Sequence, residues 1–246
     1  MYKVSIICVT FNSAETLLKT IESVSFQKFT NYEFIIIDGG STDGTIEIIK
    51  DNLNVITNYI SEPDKGIFDA MNKGVSLATG EWLYFIGSDD YFASNNVLEV
   101  FFNSEIDESI GVLLGDVKYD NGKIFHSHLN WKILLYCSIH HQGTFYRKKI
   151  FDNFIYQIEP YFPSDYDLNI TLYLNHIKYL KKNIIVTIYA LGGESSNIIW
   201  KRYRMEILAR NKHINFFILR WILALQTTFR FIIKKIFLFF NIVVHI

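Results

Sequence analysis

The stretch YEFIIIDGGSTDGT, residues 32–45, decides the fold. From Phe34 to Ile37 it is continuously apolar, the pattern of a strand buried on both faces. At Asp38 it breaks into a glycine-rich polar turn, then resumes as TDGTIEIIKDN (42–52), which has helical spacing with Thr42 or Asp43 placed as a cap. Strand, polar turn, helix is half of a βαβ unit, and the same order recurs on either side. KVSIICV (3–9) precedes SAETLLKTIESV (13–24), VITNYI (55–60) precedes IFDAMNKGVSLA (67–78), and EWLYFI (81–86) follows. That alternation predicts parallel strands in a doubly wound α/β sheet.

Further along, SIGVLLGDVKYDNGKIFHS (109–127) predicts two strands about an Asn121-Gly122 hairpin turn. HHQGTFYRKKIF (140–151) predicts a strand entering a short helix, DYDLNITLYLNH (165–176) a helix, and NIIVTIYALGG (183–193) a strand ending at paired glycines. The chain of 246 residues is half hydrophobic, enough for a sizeable core, and shows no internal repeat or low-complexity linker. One α/β domain is expected over 1–200, with halves at 1–95 and 96–200, followed by a helical appendage at 201–246. Cys8 and Cys137 are too few for a disulfide framework and fit a reducing, cytoplasmic setting. MYKVSIICV runs straight into a strand pattern, so no cleaved signal peptide is expected.

In an open parallel sheet, ligands bind beyond the carboxyl ends of the strands. Those exits here read Thr10-Phe11-Asn12, then Asp38-Gly39-Gly40-Ser41-Thr42-Asp43-Gly44, then Ser61-Glu62-Pro63-Asp64-Lys65-Gly66, then Ser88-Asp89-Asp90. Taken singly, each is an ordinary turn, and adjacent acids such as Asp89 and Asp90 are commonly just solvated. Four on one sheet edge, three carrying acids and one a lysine, describe a divalent-metal and phosphate site. Mg²⁺ or Mn²⁺ uses one or two carboxylates together with substrate phosphates. There is no G-x-G-x-x-G and no G-K-[ST], so neither a dinucleotide fingerprint nor a P-loop is present.

TFN (10–12), IIIDGGSTDGT (35–45), SEPDKGIFDAMNKGV (61–75), ATGEW (78–82) and IGSDD (86–90) together resemble the nucleotide-sugar half of glycosyltransferase family 2. The run SEPDKGIFDAMNKG, with HQGTFYR (141–147), SDYDL (164–168) and LGGES (191–195) after it, resembles a bacterial branch building surface polysaccharides, including colanic-acid and O-antigen transferases. The resemblance spans about residues 3–195 and implies a GT-A fold, a UDP- or dTDP-sugar donor, and Mn²⁺ or Mg²⁺. It further implies that Thr10, Asn12 and Asp38 serve the nucleotide, Asp38 accepting from the ring N–H of the base. Asp64 and Lys65 would lie near base or phosphate, and Asp89 and Asp90 at the family's D-x-D position, with Asp90 the first metal ligand and Asp89 assisting. Asp165 matches the family's catalytic base. Three departures stand out: Gly39 replaces the usual second acid of D-D-G-S, Ser88-Asp89-Asp90 is not a literal D-x-D, and Ser164 replaces the acid before the base.

A carboxylate at position 165 could take the proton of an attacking acceptor hydroxyl; without the resemblance it would read as a helix N-terminal acid favoured by the dipole. The resemblance places His141 near substrate, the alternative being a buried hydrogen-bonded histidine. As strand neighbours, His140 and His141 would point to opposite faces, and His126 and His128 read as structural or exposed. Trp131, Tyr136, Phe145 and Tyr146 read as core aromatics before they read as sugar platforms.

The net charge of −1 conceals an asymmetry. Residues 200–246 hold nine Lys/Arg against Glu206 alone, while residues 1–199 carry a balance of −9. Within 216–246, Arg220, Arg230, Lys234 and Lys235 fall in an arc of about 140° at ~100° per residue. That pattern predicts an in-plane amphipathic helix, or two, on an anionic membrane, with basic heads toward the headgroups. The alternatives are a helix pair docked on the domain or a homodimer contact. The density of Phe, Ile and Leu speaks against nucleic acid. The expected protein is thus an inverting transferase at the cytoplasmic face of the bacterial inner membrane, peripheral to it. It would pass one sugar to a lipid-linked (polyprenyl-diphosphate) oligosaccharide; the rivals are a nucleotidyltransferase and a non-catalytic binding or scaffold protein.

Overall fold

A computed structural model describes residues 3–158, 163–191 and 200–239. Strands β1 (Val4–Thr10), β2 (Tyr32–Asp38), β3 (Asn58–Ser61) and β4 (Trp82–Gly87) are parallel and lie in the order β3-β2-β1-β4. Their register pairs Thr10 with Asp38, Asp38 with Ser61, and Val9 with Gly87. All four strands therefore end level, which brings their polar exits to one edge as expected. Helices α1 (Leu17–Ser25), α2 (Thr45–Asp51) and α3 (Ile67–Leu77) make the crossovers.

Both faces of this sheet are covered, which is why its strands read as unbroken apolar runs. Ile6, Phe34 and Ile36 pack with Leu17 and Ile21 of α1, while Ile7, Ile35 and Ile37 pack with Ala70 and Met71 of α3. Gly74 lets α3 sit close on β1, since a Cβ there would stand 2.4 Å from Ile7 Cγ2. The N-cap of α2 is Gly44 at φ 102°, not Thr42 or Asp43; Asp43 still accepts from Thr45 N at 3.1 Å.

The sheet continues without a break through the second half, where it becomes mixed. Its strands are β5 (Tyr91–Phe92), β6 (Ile110–Tyr119), β7 (Ile124–Phe125), β8 (Thr144–Arg147) and β9 (Lys178–Tyr189). The order runs β4-β8-β6-β9-β5, with β8 antiparallel to both neighbours and β9 parallel to β6. Helices α4 (Val97–Phe102) and α5 (Ser164–Leu174) flank it. The hairpin between β6 and β7 turns at Gly122, φ 88°, as its sequence requires. Residues 192–199, which include the paired glycines, lie outside the described residues. His140 and His141 sit at the start of a 3-10 turn (His141–Gly143) rather than on a strand, so the opposite-faces expectation does not apply to them.

Two further helices follow, α6 (Trp200–His213) and α7 (Phe217–Phe239). Ala209 of α6 packs on Tyr166 and Ile170 of α5 and on Ile133. Two of the four cations of the basic arc, Arg220 and Arg230, turn onto α6 rather than outward, while Lys235 stays exposed. Arg220 donates to the carbonyls of Asn211 (2.8 Å) and Ile214, and Arg230 pairs with Glu206 and lies 5.3 Å over the Tyr203 ring. The physical reason is local: the last carbonyls of α6 need donors, and cations at a helix C-terminus are favoured by the dipole. Arg210, fully buried, donates to the carbonyls of Leu134 and Leu135 (3.2 Å each) and to Thr227 Oγ1, locking α6 to α7. Among the described residues no helix is long and apolar enough to cross a membrane.

Candidate active site

The β2 exit is organised around Asp38. Its carboxylate is fully buried and accepts from Gly40 N and Ser41 N (both 3.0 Å), Ser61 Oγ (2.7 Å) and Ser41 Oγ. Asp38 is thus the hub that folds the glycine turn and ties it to β3. As placed, its carboxylate offers no exposed oxygen to a base. Asn12, at φ 47°, clamps the same turn from the β1 exit: its amide N donates to Ser41 Oγ at 2.7 Å and its Oδ1 accepts from Thr42 N at 3.0 Å. Thr10 is buried behind it, with Oγ1 unpartnered.

Gly39 has a reason to be glycine. A Cβ there would lie 2.7 Å from Asp64 Oδ2, so the Asp64 carboxylate occupies the space into which a second acid at position 39 would extend. Asp64 Oδ1 accepts from Gly66 N at 2.8 Å, which holds it across the turn. Lys65 is exposed on the same loop, its backbone N donating to Asp69 Oδ2 at 3.0 Å.

At the β4 exit, Asp89 and Asp90 converge over Gly87. A Cβ on Gly87 would stand 2.8 Å from Asp90 Oδ2 and 2.9 Å from Asp89 Oδ1. Asp90 is 1% exposed; its Oδ1 accepts from Ala190 N at 3.0 Å, and its Oδ2 is buried without a partner. Burial, and then the Asp89 charge, push the Asp90 carboxyl up to about 7, and burial also raises Asp89. Two desolvated carboxylates with an orphaned oxygen form an acceptor set that wants a hard cation. Among the described residues no group of three or more His, Cys, Asp or Glu could hold a metal ion. The donor set therefore fits an ion bound by one or two carboxylates that takes its other ligands from phosphates and water.

A cleft of about 410 Å³ opens beside Asp89, lined by Asn12, Ser13, Glu15, Thr16, Asp43 and Ser88. Ser88 Oγ donates to Ser13 Oγ at 2.8 Å, joining the β4 exit to the β1 exit. Of the expected residues, Asn12 and Asp89 meet in this cleft; Thr10, Asp38, Asp64, Lys65, Asp90, His141 and Asp165 do not line it, Asp90 lying buried behind Asp89.

Asp165 lies in the first turn of α5, half-buried. Tyr146 and Tyr156 are held well above the usual phenol range by burial, with the Asp165 charge adding to it. His141 is 9% exposed and stacks on Phe85 at 4.9 Å; its Nδ1 meets Tyr146 Oη at 3.1 Å and its Nε2 is unpartnered. Burial pushes its imidazole down to about 3, so it is neutral. Tyr146 Oη also reaches Asn169 Oδ1 at 3.4 Å, so a contact chain Phe85–His141–Tyr146–Asn169 runs from β4 to α5. His126 pairs with Asp116 at 2.6 Å, a structural contact. Phe145 and Tyr146 are core residues as expected, whereas Trp131 is 57% exposed.

Sequence reasoning missed Ser41 and Ser61, which hold Asp38, and Gly87, over which the acid pair folds. The serines sit among the quoted turns and could have been found as local caps of an acid; Gly87 carries no signal without coordinates.

Level strand exits, a serine-held glycine turn and a desolvated acid pair define a scaffold of the nucleotide-sugar glycosyltransferase class. The chain belongs to glycosyl transferase family 2, whose family model matches residues 5–168, and it is a glycosyltransferase. A PGL/p-HBAD biosynthesis glycosyltransferase of Mycobacterium bovis (strain BCG / Pasteur 1173P2) is 31% identical over 214 residues, covering 81% of each chain. Residues 1–349 of S. aureus TarS, solved with UDP-GlcNAc, superpose with a TM-score of 0.69 at 20% identity, covering 87% of this chain and 68% of that one. In another TarS crystal structure this chain spans 40% of the TarS chain. The mannosyltransferase PcManGT of Pyrobaculum calidifontis, solved with GDP-Man and Mn²⁺, gives 0.65 at 14% identity, with coverage of 86% and 64%. At these identities the structural likenesses establish the GT-A-like fold.

Proposed function

We propose that this glycosyltransferase inverts the anomeric carbon of a UDP- or dTDP-sugar in a single displacement onto a lipid-linked oligosaccharide, as in bacterial surface-polysaccharide assembly. The observation that carries the reading is the Asp89–Asp90 pair over Gly87, with its buried, unpartnered oxygen at the edge where four strands end. The UDP-GlcNAc of TarS and the GDP-Man and Mn²⁺ of PcManGT, bound by proteins of the same fold, support a nucleotide-sugar donor and a divalent ion. Asp90, assisted by Asp89, would hold Mn²⁺ or Mg²⁺, which supplies neutralising charge to a departing diphosphate.

The chain's own residues do the rest. Asp38 keeps the β2 turn folded so that its backbone and Asn12 can meet the nucleotide, with Thr10 behind them. Asp64 supplies the carboxylate that position 39 lacks, and exposed Lys65 offsets diphosphate charge. Asp165 takes the proton from the attacking acceptor hydroxyl. His141, neutral and buried, holds α5 against β4 through Tyr146.

The test is a screen of UDP- and dTDP-sugars for transfer, with Mn²⁺ and a lipid-diphosphate acceptor, and EDTA as control. Activity unchanged by EDTA would remove the metal from the mechanism.

A further inference from the structure

The outer face of α7 is a row of large apolar side chains with nothing over it among the described residues. Ile218, Ile222, Leu225, Phe229, Ile232 and Ile236 are between 46% and 65% exposed. Their spacing alternates four and three, so they fall within about 80° of arc on one straight side of the helix. Leu223 and Thr227, on the opposite side, are buried, and Arg220 and Arg230 are spent on α6. An exposed apolar row this long marks a contact surface.

Charge selects the occupant. Helix α7 contains no Asp or Glu, and residues 200–246 carry nine cations against one acid, a positive excess that persists although Arg210, Lys212, Arg220 and Arg230 are held by partners within the fold. A second copy of the chain would bring two such tails face to face within about a Debye length, where like charge opposes association. A surface of anionic headgroups over hydrocarbon complements both properties. Arg204 and Lys235 remain exposed to meet such headgroups, and Trp221, 58% exposed beside the row, has the side chain favoured at a lipid–water boundary.

We infer that α7 docks this protein on an anionic lipid bilayer, lying in its plane with the row Ile218–Ile236 about 5–10 Å into the headgroup–acyl boundary. The apolar face enters the lipid as an in-plane helix requires, but Arg220 and Arg230, expected at the headgroups, anchor the helix to the protein instead. The inference stands whether or not the proposed donor and acceptor are right.

Flotation of the full chain with vesicles tests it. Wild type is expected to float with mixed phosphatidylcholine–phosphatidylglycerol vesicles and more weakly with phosphatidylcholine alone. The variant Ile222→Ser/Leu225→Ser/Phe229→Ser is expected to lose about tenfold or more in partitioning, with an unchanged melting midpoint. A fluorophore on Phe229→Cys, in a chain whose half-buried Cys137 is replaced by Ser and whose melting midpoint matches wild type, should shift to the blue on mixed vesicles. Wild type left at the bottom of the gradient, a triple variant that floats equally well, or an unshifted fluorophore would overturn the inference. Sedimentation showing a wild-type dimer that the triple variant dissolves would give the face to a second copy and overturn it too. Equal flotation with phosphatidylcholine alone would overturn its anionic half.

Discussion

At the scale of residues, Asp90 carries the sharpest consequence. Its folded carboxyl titrates at about 7, above the unfolded value of ~3.9, so the native state holds a proton that the unfolded chain has released. Stability of the metal-free protein should therefore fall as pH rises from about 4 to about 7. Asp90→Asn removes the penalty, on the order of 2 to 4 kcal/mol at most. Its melting midpoint should exceed that of wild type at pH about 8 and match it near pH 4, and added Mn²⁺ should close the gap in wild type only. An Asp90→Asn variant no more stable at the higher pH would contradict the desolvated pair. Gly39 and Asp64 make a second prediction. Gly39→Asp crowds Asp64 Oδ2 and should weaken donor-nucleotide binding about tenfold, Asp64→Gly likewise, and the double exchange should recover most of the loss in calorimetry. A double variant as poor as the worse single one would end the idea that Asp64 fills the missing acid's place. The acids themselves were legible in the sequence because each follows a strand. Which of them contacts a ligand and which folds a turn was not: the burial of Asp38 depends on Ser61, twenty-three residues away.

At the scale of elements, α5 is tethered at both ends of its function. Asp167, one turn into the helix, accepts from Lys212 Nζ at 2.8 Å and His213 Nε2 at 2.7 Å, fixing α5 to α6. Those partners hold its carboxyl below the usual range against the cost of burial. Asp167→Ala should cost about 2 kcal/mol of stability. It should also lower kcat with little change in donor KM, since it loosens the helix that carries Asp165 without touching the nucleotide turns. An unchanged kcat in a destabilised variant would make the tether purely structural. Strands β1–β4 were readable because a parallel strand buried on both faces has an unmistakable apolar run. The two-residue β5 and six-residue α4 are too short for any periodicity, and the basic arc of α7 was visible while its direction was not. That direction depends on Glu206 and the end of α6, which are partners only once the chain turns back at residues 214–216.

At the scale of the whole molecule, one continuous sheet joins the acid pair of β4 to the helix of Asp165 through β8, and the C-terminal helices brace that helix from behind. On the proposed mechanism turnover needs both Asp90 and Asp165, and the metal would be held by Asp90 with Asp89 assisting. The most direct measurement is sugar transfer from the accepted donor with Mn²⁺, comparing wild type with Asp90→Asn and Asp165→Asn. Both variants should lose about a hundredfold or more in kcat, and Asp165→Asn should keep wild-type donor affinity. Transfer at the wild-type rate by either variant would contradict the account.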